Sequence, residues 1–535
     1  DGGGPPRESA GVPAMSASAH LRELMKPENA GTVVGFLAGG ALTVYAINWW
    51  TGRTRKKTPV AESEGRSLRS DSSIDCHRGK RMADVDQVLR SAHKSGLLGL
   101  ETQAVALFYD LDALKETLLA LRVAFPPHFL HCIAVKANPL PFFLRGAVEM
   151  GFGLETASMG EVMMALQVGC KPDHIVFDSP AKGRRDIAFA LKHGLQINAD
   201  NFDELVRIDE EQQRIKGARG RFSDSAIGVR LNPLVGVGKI KALSVSGADS
   251  KFGIPFTAAN RTKLLAAFGT YPWLTALHCH VGSQGCSLEQ HAEGARTLHE
   301  FACHIRTEYG QMRIKSLDIG GGLPVNFADD SVAPSFAEYS AVLRTRVPAL
   351  FEANKMYRVI TEYGRSLSAK PGWVAAVVEY VKHVDDEKDI VTVQCGSDLF
   401  MRSCYCPGDF PTRITAHDGP TGEALVGVKG LEGAGEGRER REIVADVVGP
   451  LCFQGDKLKS ANSMPQVREG DVIVVHDAGA NTLSLWNRHC SRLAPPVYGY
   501  YRPGSSSSQE VLGKLEVLVL KPAEKVKDML RFWAP

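Results

Sequence analysis

Eight short apolar, β-prone runs recur through the middle of the chain, at 131–135, 153–157, 174–178, 195–199, 226–231, 274–281, 315–319 and 357–361. Stretches with helical character separate them: Pro141 to Met150, Met159 to Val168, Arg184 to His193, Asp203 to Ile215, Ala258 to Phe268, Leu288 to Tyr309 and Phe336 to Glu352. Eight strands alternating with helices over roughly 250 residues is the arithmetic of a (β/α)8 barrel. A doubly wound sheet competes with it. That layout usually carries a Gly-rich turn after the first strand, whereas the run at 131–135 leads into Lys136-Ala137-Asn138-Pro139.

Beyond residue 370 the texture changes to valine-rich strands without a helical repeat, at Trp373 to Lys382, Ile390 to Gln394, Arg441 to Val448 and Asp471 to His476. The fold class that follows is α/β. A barrel spans 105–365, and an all-β domain is built from 81–104 and 366–535, with a Gly/Glu/Arg-rich loop insert at 417–440. Residues 1–80 form an N-terminal extension. Within it, Gly31 to Trp50 lacks any charge, ends in Asn48-Trp49-Trp50, and is followed by Arg53, Arg55, Lys56 and Lys57. That pattern suits a transmembrane anchor at 31–50 with the enzyme on the cytosolic side. A soluble cytosolic or organellar protein is the alternative. The formal charge of +3 and the scattered basic residues argue against nucleic acid as a partner. Eleven cysteines include no CxxC pair, and several lie in apolar runs, as expected of reduced, packed thiols.

Active sites of such barrels collect at the C-terminal strand ends. Those ends carry Lys136, then Glu155 and Ser158, then the segment His278 to Gln284, then Asp318-Ile319-Gly320-Gly321-Gly322, and last Glu362 and Arg365. A lysine at the mouth of a buried strand is either an exposed strand end or an amine whose desolvation lowers its pKa and readies it for an imine. Three consecutive glycines let backbone amides approach an anion, and Arg365 can add a charge-assisted contact. Glu362 serves either a salt bridge or a proton on a heteroaromatic nitrogen. His278 and His280 share a strand face, which admits a metal pair. No third ligand is evident, so no metal is assigned, and a stacked ring at His280 fits better.

An imine-forming lysine, a phosphate nest, a carboxylate and a stacking imidazole describe a site for pyridoxal 5'-phosphate (PLP). The chain resembles the ornithine/diaminopimelate/arginine decarboxylase family of barrel-type, alanine-racemase-like PLP enzymes. The matching segments are AVKAN (134–138), HCHVGSQ (278–284), LDIGGGLP (317–324), TEYGRS (361–366), GPLCFQGD (449–456) and HDAGANTLSLWNRHCSR (476–492). HVGSQ, with Arg230 to Pro233 and Ser250 to Gly253, leans toward the diaminopimelate branch.

The resemblance implies that Lys136 forms the internal aldimine, that His280 stacks on the pyridine ring and that Glu362 pairs with its nitrogen. Ser283, Gly320, Gly321, Gly322 and Arg365 would hold the phosphate. Cys452 matches a catalytic cysteine given by a neighbouring subunit, so a homodimer with shared active sites is implied. The activity implied is α-decarboxylation of an amino acid of the diaminopimelate/ornithine class, through a quinonoid intermediate. Three positions depart from the pattern. Tyr363 replaces the proline of the familiar Glu-Pro-Gly-Arg, which leaves Glu362 and Arg365 in place. Phe453 stands where a polar group holds the distal end of the substrate, and Asn481 stands where a tyrosine contacts the cofactor. Arg402 is a candidate for a substrate carboxylate. A catalytically silent homologue with a regulatory or binding role, and a barrel-type racemase, are the alternatives.

Overall fold

Parallel strands buried on both faces read as largely apolar runs, and the eight runs do, with polar residues such as Asn198, Arg230 and Asp318 buried among them. The structure, a computed structural model, describes residues 84–352, 357–385, 388–431, 433, 437–502 and 515–534. The runs form strands β1 (Phe129–Ala134), β2 (Gly153–Thr156), β3 (Ile175–Asp178), β4 (Gln196–Ala199), β5 (Ile227–Asn232), β6 (Leu274–Cys279), β7 (Ser316–Gly321) and β8 (Arg358–Glu362). All neighbours pair in parallel. The order runs β4-β3-β2-β1-β8-β7-β6-β5, and a further β4–β5 pairing closes the barrel. A two-residue strand, Ile254–Pro255, adds to β5.

Helices fill the connections, and their starts are fixed chemically. Ser158, Asn201, Thr257, Ser287 and Ser335 each accept a hydrogen bond from the backbone N–H three residues on. Such caps satisfy donors that a helix start would otherwise leave unpaired. Ser158, which the sequence placed among the strand-end site residues, is therefore a helix cap.

The second sheet corrects the sequence-based expectation in three places. Val105–Asp110, counted within the barrel, pairs antiparallel with Gly372–His383 and parallel with Val497–Tyr501. The region after 366 is not all β, since helices Ser397–Tyr405 and Val526–Trp533 lie in it. The insert at 417–440 contains a strand, Val426–Val428, which pairs with Glu439–Val448. Phe108, Trp373, Tyr498 and Tyr500 pack together at the core of this sheet, with the rings of Phe108 and Trp373 stacked 4.5 Å apart. Among the described residues no helix is long and apolar enough to cross a membrane, and the segment 31–50 lies outside them.

Candidate active site

A cavity of about 430 Å³ opens at the C-terminal ends of the barrel strands, where β-to-α loops leave backbone and side chains unpacked. Its walls bring together Lys136, His280, Ser283, Gly322, Glu362, Arg365, Arg402 and Asn481, along with Glu155, Asp178 and Arg230.

Lys136 lies in a single 3-10 turn, Val135–Ala137, directly after β1. Half of its side-chain surface faces the cavity, although its amine sits deep in the protein. The amine is hydrogen-bonded to Glu155 at the end of β2, a residue to which the sequence reading gave no role. Burial alone would lower the lysine pKa, but Glu155 and Glu362 outweigh it and raise it. The expectation of an amine depressed by desolvation is therefore corrected, because the carboxylates reverse the sign. Burial pushes Glu155 up to about 8 against the opposing lysine charge, so it holds a proton far more readily than an ordinary glutamate.

Behind the cavity lies a buried charge cluster. The His278 ring is fully enclosed, with Nδ1 3.4 Å from Asp178 Oδ1 and Nε2 3.5 Å from Glu362 Oε2. Arg230 donates to Asp178 at 3.0 Å. Burial works against charge on His278, but the two carboxylates hold its pKa well above the ordinary value, so it is an imidazolium. Burial would likewise raise Glu362, yet His278 keeps it ionised, far below the usual carboxylate range. Asp318 carries the cost: burial and the nearby Glu362 push it well up, into its neutral form.

His280 approaches the same carboxylate from the cavity side, its Nδ1 3.7 Å from Glu362 Oε2. It lies one residue beyond β6 and lines the cavity, and its Nδ1 accepts from the Gly321 N–H at 3.2 Å. Burial lowers its pKa and keeps it neutral. The two histidines therefore do not form the pair that their shared face allowed. The oxygens of Asp178 and Glu362 and a nitrogen of His278 do lie within 4.8 Å of one another. The imidazolium proton and Arg230 already balance those carboxylates.

The glycines act differently from three free amides. The Gly320 N–H donates to Asp318 and the Gly321 N–H to His280, so both are already engaged. What requires glycine is close approach: a Cβ at Gly321 would lie 1.8 Å from the Glu362 carbonyl oxygen, and one at Gly322 would lie 1.7 Å from that of Gly282. Gly322 also has φ +92°, a region that side chains disfavour.

Asn481 is pinned to the lysine turn, its N–H donating to the Ala137 carbonyl at 2.9 Å. Ser283 is fixed by its N–H to the Leu243 carbonyl at 3.0 Å. Cys452 and Phe453 do not reach the cavity of their own chain. Cys452 is exposed, and Phe453 stacks between Tyr405 and His489 with ring centroids 5.5 and 5.8 Å away.

A family model described as "Pyridoxal-dependent decarboxylase, pyridoxal binding domain" matches residues 111–369. Diaminopimelate decarboxylase of Aquifex aeolicus is 28% identical over 385 residues, covering 72% of this chain and 83% of that protein. The Helicobacter pylori J99 diaminopimelate decarboxylase is also 28% identical, covering 72% and 87%. A crystal structure of the Helicobacter pylori enzyme complexed with L-lysine superposes with a TM-score of 0.64 at 24% identity, covering 80% of this chain and 96% of that one. Lysine/ornithine decarboxylase of Vibrio vulnificus, complexed with putrescine, gives 0.59 at 21% identity, covering 76% and 95%. At these identities the structural likeness shows the fold.

Proposed function

We propose that the chain is a member of the ornithine/diaminopimelate/arginine family of pyridoxal-dependent decarboxylases, to which its similarity to the pyridoxal binding domain model and to diaminopimelate decarboxylases points, and that it removes the α-carboxylate of an amino acid of the diaminopimelate/ornithine class. The observation that carries the reading is Lys136, an amine at a strand end that opens to the same cavity as His280, Glu362 and Arg365 and is hydrogen-bonded to Glu155.

The residues present fit PLP. Arg365 has a buried Nε without a partner, as an anion-binding guanidinium would. When bound, the group supplies an electron sink for the carbon that loses CO2. Lys136 would hold it covalently, with Glu155 hydrogen-bonded beside the amine. Glu362, kept ionised by His278, would hold a proton at the ring nitrogen. His280, neutral and oriented by the Gly321 N–H, would lie against the ring face. Ser283, Gly322 and Arg365 would hold the phosphate, with Asn481 beside them, while the Gly320 and Gly321 amides are already engaged. The direct test is CO2 release from a panel of amino acids by the PLP-loaded protein; no release from any of them would remove the proposal.

Cys452 is exposed and distant from its own chain's cavity, which favours a homodimer whose partner supplies it as the acid that protonates the product carbon. Cys452→Ala and Lys136→Ala proteins, each defective alone, are then expected to regain activity when mixed under conditions that exchange subunits. Failure of mixing to restore activity would place Cys452 outside the active site. Phe453 offers no charge to a distal ammonium or carboxylate, so the distal group of the substrate is expected to meet an aromatic surface, the Tyr405–Phe453–His489 stack. The amino-acid panel tests this as well: sharp discrimination among diaminopimelate, lysine and ornithine by their distal groups would contradict it.

A further inference from the structure

Arg365 and Arg402 line the main cavity together, and both also line a smaller chamber behind it. They arrive from different parts of the fold. Arg365 opens the short helix Arg365–Ser368 after β8. Arg402 projects from helix Ser397–Tyr405, which is kinked at Phe400 (φ −111°, ψ 40°). Buried cations in proteins are paired, yet among the described residues neither guanidinium forms an ion pair or donates a side-chain hydrogen bond. Arg365 Nε and Arg402 Nη1 are buried with no partner, and the Arg402 guanidinium lies over the Phe410 ring at 5.6 Å. Of the acids on these walls, Glu155 is paired with Lys136, Asp178 and Glu362 flank His278, and Asp409 and Asp477 stand on the chamber wall. Asp477, on the chamber wall, accepts from Arg413 at 3.1 Å and pairs with Lys370 at 3.3 Å, while Asp409 is exposed. Burial, with the charge of Arg402 added to it, pushes Arg365 down to about 10, so the two cations feel one another without an anion between them.

Two like charges facing one cavity call for a ligand with about two negative charges. A phosphate monoester has them; a single carboxylate does not. The wall between the two arginines is completed by Asn481, whose amide is shorter than the tyrosine expected there and carries no hydroxyl. We propose that Arg402 binds the phosphate of the cofactor jointly with Arg365, in place of the missing tyrosine, and does not serve as the carboxylate anchor of the substrate. This rests on the reading of the cavity as a PLP site.

The test compares the full-length protein with its Arg402→Gln and Arg402→Lys variants. Each apoprotein is titrated with PLP and, separately, with pyridoxal, which lacks the phosphate; visible absorption gives both affinities. The expected result is that Arg402→Gln loses PLP affinity by about 10- to 100-fold, keeps its pyridoxal affinity, and shifts the phosphorus resonance of bound PLP. Arg402→Lys recovers part of the loss, and the KM for the amino acid at saturating PLP stays unchanged. Unaltered PLP affinity with a raised KM would overturn the proposal in favour of substrate binding. An equal loss of PLP and pyridoxal affinity would overturn it in favour of a structural role. Wild-type protein that binds neither compound would remove the cofactor reading itself, and the proposal with it.

Discussion

Replacing Lys136 with alanine is expected to abolish turnover and to remove the visible band of lysine-bound PLP in the same step, while the protein stays folded. The side chain is half open to the cavity, so its loss leaves no void in the packed core. Its partner Glu155 is the group at risk, since a buried carboxylate without a cation is costly. Burial already pushes Glu155 up to about 8, and removing the ammonium raises it further, so the carboxyl is neutral at pH 7 and the cost is avoided. Arg365 and the glycine segment are untouched, so the variant is expected to bind PLP as the free aldehyde, absorbing at shorter wavelength. Absorption spectra and thermal melts of both proteins check this. A Lys136→Ala protein that retained the lysine-bound band would place the covalent site elsewhere.

The second large effect is expected from Glu362→Gln, which should lower kcat by about 10²-fold or more by removing the charge proposed to face the cofactor nitrogen. It should also change stability with pH in a defined direction. Glu362 and Asp178 have folded pKa values below their ordinary ones. Their contribution is present in full above the normal carboxylate range, about 4, and is lost as the pH falls through their lower folded values. His278 has the opposite sign. Its raised pKa gives stability that is complete below about 6.5 and disappears only as the pH rises through the folded value. Glu362→Gln removes one carboxylate from this set, at a cost of up to about 3 kcal/mol near neutrality. Relief of the neighbouring Asp318 reduces that cost. Urea midpoints between pH 2 and 8 are expected to fall less steeply on the acid side for the variant than for the wild type. Parallel curves would mean that the cluster does not hold Glu362 ionised.

How much of this was legible in the sequence depended on whether a signal was local. The barrel strands were legible because a strand buried on both faces writes its burial into consecutive residues. Helix starts were equally local, each fixed by one side chain and an amide three residues on. Val105–Asp110 was misplaced because its partners, Gly372–His383 and Val497–Tyr501, lie hundreds of residues away and leave no mark on its own apolar run. The helix Ser397–Tyr405 was missed for a related reason: it is short, and its kink at Phe400 breaks the periodicity.

At the site, Lys136, His280, Glu362 and Arg365 could be picked out as chemistry-bearing strand ends, and they do line one cavity. Their electrostatics could not be read. The sign of the Lys136 shift depends on Glu155 from the next strand. The charge on His278 depends on Asp178 and Glu362, brought together from β3 and β8. The glycine run was noticed for the right position and partly the wrong reason, since two of its amides are consumed within the protein and close backbone approach accounts for the absence of side chains.

The central claim, that this cavity removes the α-carboxylate of an amino acid, is tested most directly by turnover in D2O with an L-amino-acid panel, diaminopimelate, lysine and ornithine included. The account predicts CO2 and an amine-bearing product in equal amounts, with one deuterium at the carbon that lost the carboxylate. Deuterium appearing in recovered, undecarboxylated amino acid without CO2 would contradict it and identify a racemase, and a PLP-loaded protein that neither exchanges nor releases CO2 would contradict it in favour of a silent homologue.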